Sequence, residues 1–173
     1  MINRLLDHIS FHLVRRAKRH RQMVQRKHFG LPETVSLNDV YLDGNVSIGA
    51  HTYVHTHSRV AYGPNTSVRI GQYCSIGRNV SIVARTHSLH NPTANEHLAE
   101  NERVEKDITI GHYCWIGDNV LIHPGISISD YAVIGANSVV TKDIKAFEIV
   151  GGVPARHIRF NTEHAAYSET HSS

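Results

Sequence analysis

The sequence predicts an all-β fold wound as a parallel β-helix, and two observations carry that prediction. The first is a six-residue rhythm: Ile48, Val54 and Val60, then Ile70, Ile76 and Ile82, then Ile110, Ile116, Ile122, Ile128, Ile134 and Val140. All twelve sites hold Ile or Val, as expected where each repeat adds one buried side chain to a stacked coil. The second is the agreement of the other hexad positions. Glycine follows at Gly49, Gly71, Gly77, Gly111, Gly117 and Gly135, where the lack of a Cβ would let the chain turn tightly. Three residues after the Ile stand Asn79, Asn119 and Asn137, alternating with Tyr73, Tyr113 and Tyr131. Asn tolerates the left-handed backbone region that the corners of a polygonal coil require. Two residues before the Ile or Val come Thr52, Ser58, Cys74, Val80, Cys114, Val120, Ala132 and Ser138, which share its inward face on a strand.

The elements follow in chain order. Residues 1–30 carry Leu5, Leu6, Ile9, Leu13 and Ala17 at helical spacing, which predicts an amphipathic helix. Residues 1–28 hold eight Lys or Arg and one acid, Asp7. The whole chain carries +3 and this leader +7, so the remainder carries −4. The basic character therefore belongs to the leader, and nothing marks the coil as a nucleic-acid binder. Two readings of the leader stand open: a cap on the first coil or a neighbouring subunit, and peripheral contact with an anionic membrane through residues 1–28.

A domain over 31–160 comes next, its periodic blocks at 36–85 and 108–143 supplying about five triangular coils stacked roughly 4.8 Å apart. Such a prism has two open ends and needs a cap at each. Between the blocks, residues 86–107 break the rhythm with a polar stretch carrying Glu96, Glu100, Glu102 and Glu105. A coil cannot absorb that length, so the segment must project, and a long loop on a rigid scaffold is a usual place for function. A short cap follows the last coil, and residues 161–173 read as a polar tail. No stretch is apolar enough to span a bilayer, and the N-terminus does not read as a signal peptide. The two cysteines fall at the same inward position, as small fillers. Cytoplasmic residence is the default expectation, peripheral at the inner face of the membrane if the leader binds lipid.

Several motifs then occur in fixed order: Thr86-His87 at the root of the loop, Tyr-Cys-Trp-Ile-Gly-Asp-Asn at 113–119 and Pro-Gly-Ile at 124–126. They continue with Val-Ile-Gly-Ala-Asn-Ser-Val-Val-Thr-Lys-Asp at 133–143 and Gly-Gly-Val-Pro-Ala-Arg-His-Ile-Arg at 151–159. Together they resemble the hexapeptide-repeat acyltransferases, in the branch of galactoside, maltose and polysaccharide O-acetyltransferases. The likeness covers about residues 46–160. It implies a left-handed coil, against the usual crossover hand, a homotrimer with sites in the clefts between subunits, and acetyl-coenzyme A as donor without a metal. The acceptor it implies is a sugar hydroxyl in a surface polysaccharide or lipopolysaccharide.

Transfer from a thioester to a hydroxyl needs a base, and a neutral imidazole serves near pH 7. His87 matches the family's catalytic histidine, with His90 as its rival or as an acceptor contact. Trp115 precedes Ile116, so strand alternation points it outward, and the resemblance puts it beside donor and acceptor. The resemblance further implies Gly117 as a coenzyme contact, Gly135 and Ala136 along the pantetheine arm, Thr141 and Lys142 along the coenzyme, and Arg156 and Arg159 near its phosphates. Asn65 matches a sugar-contacting position loosely. Asp118 stands where related sequences carry Ser, which puts a donor contact there in doubt.

Three other readings compete. An amine acceptor, on an amino sugar or antibiotic, would use the same coil and the same histidine. A γ-class carbonic anhydrase would need three His around zinc, and His87, His123 and His112 are the candidates. An ice-binding or structural prism would show a flat outward array of Thr, and only scattered Thr occur.

Overall fold

The computed structural model describes residues 2–87 and 103–161, with side chains from residue 13 onward. Helix α1 (Ile2–His28) leads into a left-handed parallel β-helix of short strands. The strands form three faces, visited in turn. The first face stacks 36–37, 53–54, 75–76, 115–116, 133–134 and 148–151. The second stacks 41–43, 59–61, 81–83, 121–122 and 139–140, and the third 46–48, 68–70, 108–110 and 127–128. Every pairing among these is parallel, and like residues lie over like: Val54 over Ile76 over Ile116 over Ile134, for example.

The sequence rhythm is thus the core itself. All twelve rhythm positions are buried, as are the eight small residues two places before them. Full burial of each such aliphatic side chain contributes about 1.5–3 kcal/mol. The inner polar members find partners within the wall: Thr52 Oγ1 donates to Gly71 O at 2.7 Å, and Ser58 Oγ to Gly77 O at 3.0 Å. Cys74 and Cys114 are stacked, buried and free. The adjoining Cys74 thiol and burial together push the Cys114 thiol up, so it stays protonated and unreactive.

The edges explain the remaining hexad positions. At the edge between first and second faces, Asp39, His57, Asn79, Asn119 and Asn137 all have φ of 52–63°. The three asparagines join in a ladder, Asn79 Nδ2 to Asn119 Oδ1 at 2.9 Å and Asn119 Nδ2 to Asn137 Oδ1 at 3.0 Å. At the edge between third and first faces, His51, Tyr73, Tyr113, Tyr131 and Phe147 take the same left-handed conformation. Their rings stack with centroids 4.7–5.0 Å apart, the strand spacing of the coil. Stacking one ring per coil offsets the cost of putting bulky residues at positive φ.

The glycines do a different job from the one the sequence suggests. None of the six that follow an Ile has positive φ. What they allow, Gly135 excepted, is close approach: a Cβ on Gly71 would sit 2.4 Å from Gly111 O, and one on Gly117 would sit 2.6 Å from Ala136 N. The spacing also hides a second outward loop. Ile122 and Val140 are eighteen residues apart, but Val60 and Ile82 are twenty-two. The extra residues leave the coil at 62–67, one coil before the long loop.

The N-terminal end shows its backbone carbonyls, because the first coil's N–H groups point into the second: Ser36 to Thr52 O, Asn38 to Val54 O. Donors on α1 meet that end. Gln25 Nε2 reaches Val40 O and Arg26 Nη1 reaches Val35 O, both at 3.0 Å, while Arg21 pairs with Asp39 at 3.1 Å. The helix therefore docks as a cap through polar side chains. At the other end, 148–151 turns back on 156–160 as an antiparallel pair.

Candidate active site

Among the described residues, the outward departures from the coil lie on one edge, between the second and third faces. Loop 62–67, the long loop, Pro124-Gly125 and Thr141–Asp143 follow one another along it. Here Arg85–His87 leaves the prism and pairs antiparallel with Arg103–Glu105, with His87 opposite Arg103. His87 is exposed at the far end of this hairpin root.

The root is fastened on both sides. Lys106 N donates to Ala84 O at 3.1 Å, closing the coil beneath the hairpin. Arg85 Nε meets Glu105 Oε1 at 3.1 Å, both side chains mostly covered. Asp107 accepts from Ser67 N and pairs with Arg69 Nη2, both at 2.8 Å. The Ser67 amide, with the Ser67 hydroxyl and Arg69, holds the Asp107 carboxyl below the usual carboxylate range. Glu105 also fills the space over Gly63, where a Cβ would lie 2.7 Å from its Cδ. The hairpin root and loop 62–67 thus brace each other, and Asn65 is exposed on that loop. Farther along the same edge His123, Thr141 and Lys142 are exposed. His90 lies outside the described residues.

The remaining expected site residues lie across the molecule. Trp115 stands outward on the first face, 58% exposed, between Ser75 and Val133. Gly117, Gly135 and Ala136 occupy the adjoining edge with the second face. The N–H groups of Gly117 and Gly135 are spent on the ladder, to Ile134 O and Val150 O. Ala136 has no hydrogen-bond partner among the described residues, which leaves its amide free for a ligand. Arg156 and Arg159 are exposed on the last strand, at the end of the first face, with no acidic partner among the described residues.

A triangular prism sets each edge opposite a face, so His87 and Trp115 are on opposite sides of one chain. Their heights agree. His87 leaves between the coil of Ile82 and that of Ile122, and Trp115 belongs to the latter. The expected residues fall into two groups: Asn65, His87, Thr141 and Lys142 on the loop edge, and Trp115, Gly117, Gly135, Ala136, Arg156 and Arg159 around the first face. Within one chain the two groups therefore lie at one height on opposite sides and do not meet.

The structure bears on the doubt at Asp118 and on the zinc alternative. Asp118 serves the coil: its Oδ1 accepts from Arg78 N at 2.7 Å, as Asp130 does for His112 N and Asp143 for Ser127 N. The three-histidine zinc site does not assemble, because His112 lies on the edge between third and first faces, its Nδ1 accepting from Gln72 N. No cluster of three metal-ligating residues occurs among the described residues. Sequence reasoning missed Arg85 and Asp107, and took Glu105 as one more acid of a polar stretch. The available signal was opposite charges flanking the loop at its two ends.

Known acetyltransferases share the hexapeptide repeat and the coil. The family model for the bacterial transferase hexapeptide (six repeats) matches residues 107–142. A galactoside O-acetyltransferase of Escherichia coli (strain K12) is 37% identical over 115 residues, 66% of this chain and 54% of that one. The chain thus spans about half the length of that relative. A chloramphenicol acetyltransferase of Morganella morganii is 32% identical over 156 residues, 73% of this chain and 74% of the relative. A hexapeptide-repeat acetyltransferase of Vibrio cholerae, solved with acetyl-coenzyme A, superposes with a TM-score of 0.65 at 27% identity, over 82% of this chain and 76% of that one.

Proposed function

This chain belongs to the hexapeptide-repeat acetyltransferases, and on that premise we propose that it carries an acetyl group from acetyl-coenzyme A to a sugar hydroxyl. The acceptor belongs to a surface polysaccharide or lipopolysaccharide, and His87 is the general base. The observation that carries the reading is the pair of groups at one height: a histidine on the loop edge, and an exposed tryptophan on the opposite face.

In a trimer with its axis along the prism, the loop edge of one subunit meets the first face of the next. His87 then takes the proton of the acceptor hydroxyl as its oxygen attacks the thioester carbonyl. The tetrahedral centre collapses, the C–S bond breaks, and the coenzyme A thiolate leaves and recovers a proton. Transfer is direct, because both cysteines are buried in the core and no nucleophilic thiol reaches the surface. Trp115 provides a broad apolar wall beside the reacting groups, the free amide of Ala136 can bond the pantetheine arm, and Arg156 and Arg159 suit the phosphates. Asn65, on the same edge as His87, suits an acceptor hydroxyl.

A second acceptor class is favoured by one observation. The relative matching the larger share of both chains is a chloramphenicol acetyltransferase, which supports an antibiotic in place of the sugar. One experiment addresses both. The purified chain is titrated calorimetrically with acetyl-coenzyme A, then assayed for thiol release with galactosides, maltose, amino sugars and chloramphenicol. Saturable binding near one site per subunit, with turnover on a sugar, supports the proposal. Turnover on chloramphenicol alone would replace the acceptor, and a folded chain that does not bind the donor would sink the reading.

A further inference from the structure

The first helix caps the coil with its polar side and turns apolar residues outward. Its docked side is polar: Gln22, Gln25 and Arg26 reach the first coil, and Phe29 beyond its end packs on the core. That side is polar because the end of the coil is a row of carbonyls that need donors. Val14 looks into the groove between helix and coil, beside Asp39 and Thr56, but Leu13, Met23 and Val24 lie elsewhere on the helix. Leu13, Ala17, His20 and Val24 fall at i, i+4, i+7 and i+11, on one face. Val24 is two positions beyond Gln22, about 200° around the axis. Leu13 is 61% exposed, Val24 51% and the neighbouring Met23 53%. Arg16, Arg19 and Lys27 are exposed beside this stripe, and Leu13, Arg16, Ala17, Arg19, His20 and Met23 line one shallow depression.

We propose that this outward face of α1 seats on an anionic lipid bilayer, apolar stripe in the headgroup boundary and cations against the lipid phosphates. Charge complementarity selects that occupant. Residues 8–28 contain no Asp or Glu, and the leader carries +7 against −4 for the rest of the chain. An anionic surface satisfies the apolar stripe and the cations at once, whereas two such helices meeting each other would bring like charges together. No helix among the described residues is long and apolar enough to cross a membrane, so the helix lies along the surface. Its polar side stays bonded to the coil throughout, which fixes the prism to the bilayer without unfolding the cap.

The test is flotation of the full chain with vesicles of phosphatidylcholine alone, or of phosphatidylcholine with phosphatidylglycerol, at low salt. The protein is expected to float with the anionic vesicles and to remain behind with the neutral ones. Arg16→Gln with Arg19→Gln should weaken that partition roughly fivefold per cation, and Leu13→Gln with Val24→Gln should weaken it at least as much. Circular dichroism and light scattering establish that each variant keeps its helix and its assembly. A wild-type chain that ignores anionic vesicles overturns the proposal, and so does a Leu13→Gln/Val24→Gln chain that floats as well as wild type. If that double variant instead breaks the assembly apart, the face belongs to a second copy of the chain and the proposal fails.

Discussion

At Gly71 the next coil comes so near that a methyl group would have to displace backbone, since Gly111 O and C lie 2.4 and 2.5 Å from where its Cβ would be. Gly71→Ala should therefore cost about 1–3 kcal/mol as an overpacked site. Gly135→Ala, whose nearest atom would be 3.4 Å away, should be nearly neutral to stability. Denaturant midpoints of the two variants check this, and equal losses would refute the close-approach account. The same contrast shows what a sequence reveals and what it hides. The rhythm marks both glycines alike, but only the neighbouring coil shows that contact between coils, and not turning, selects Gly71. His87 is the opposite case. Its motif was legible from Thr86 and the loop that follows, and its role is a matter of chemistry. His87→Ala should keep the fold and lose roughly 10²–10⁴-fold in kcat, and a folded variant with near-full turnover would remove it as the base.

At the scale of elements, the coils were readable because a buried wall repeats one residue choice at one spacing. Loop 62–67 was not, because four extra residues between two regular blocks leave the rhythm intact on either side. The hairpin root was missed for a related reason: Arg85–Glu105 and Asp107–Ser67 are contacts across the chain that no local period records. The Asp107 carboxyl is held below its ordinary value, near 3.9 in an unfolded chain, by bonds that only the folded form makes. Its contribution is thus full above that value and is lost as pH falls through the lowered folded one. Acidification below about pH 4 should loosen the junction of loop 62–67 with the hairpin. Asp107→Asn should loosen it already at neutral pH, because an amide accepts less strongly from Arg69 and Ser67. Exchange of the Ser67 amide, followed against pH in both proteins, reads this directly. Protection that is independent of pH and unchanged in the variant would rule the brace out.

For the whole molecule, the decisive observation is that one chain carries His87 and Trp115 on opposite sides. If the proposed trimer builds each site from the loop edge of one subunit and the first face of the next, two inactive chains can complement one another. A His87→Ala chain keeps Trp115, and a Trp115→Ala chain keeps His87. Trimers made only of either one contain no intact site. Co-expressed in equal amounts and assembled at random, a site is intact whenever the Trp115→Ala chain supplies the loop edge and the His87→Ala chain supplies the face. That holds for about a quarter of sites, so about a quarter of wild-type turnover should return, at the wild-type KM. Were His87 and Trp115 to act within one subunit, every site in the mixture would carry one lesion and nothing would return. The assay separates a catalytic cleft between copies from a site within the chain, and it needs only one accepted substrate to do so.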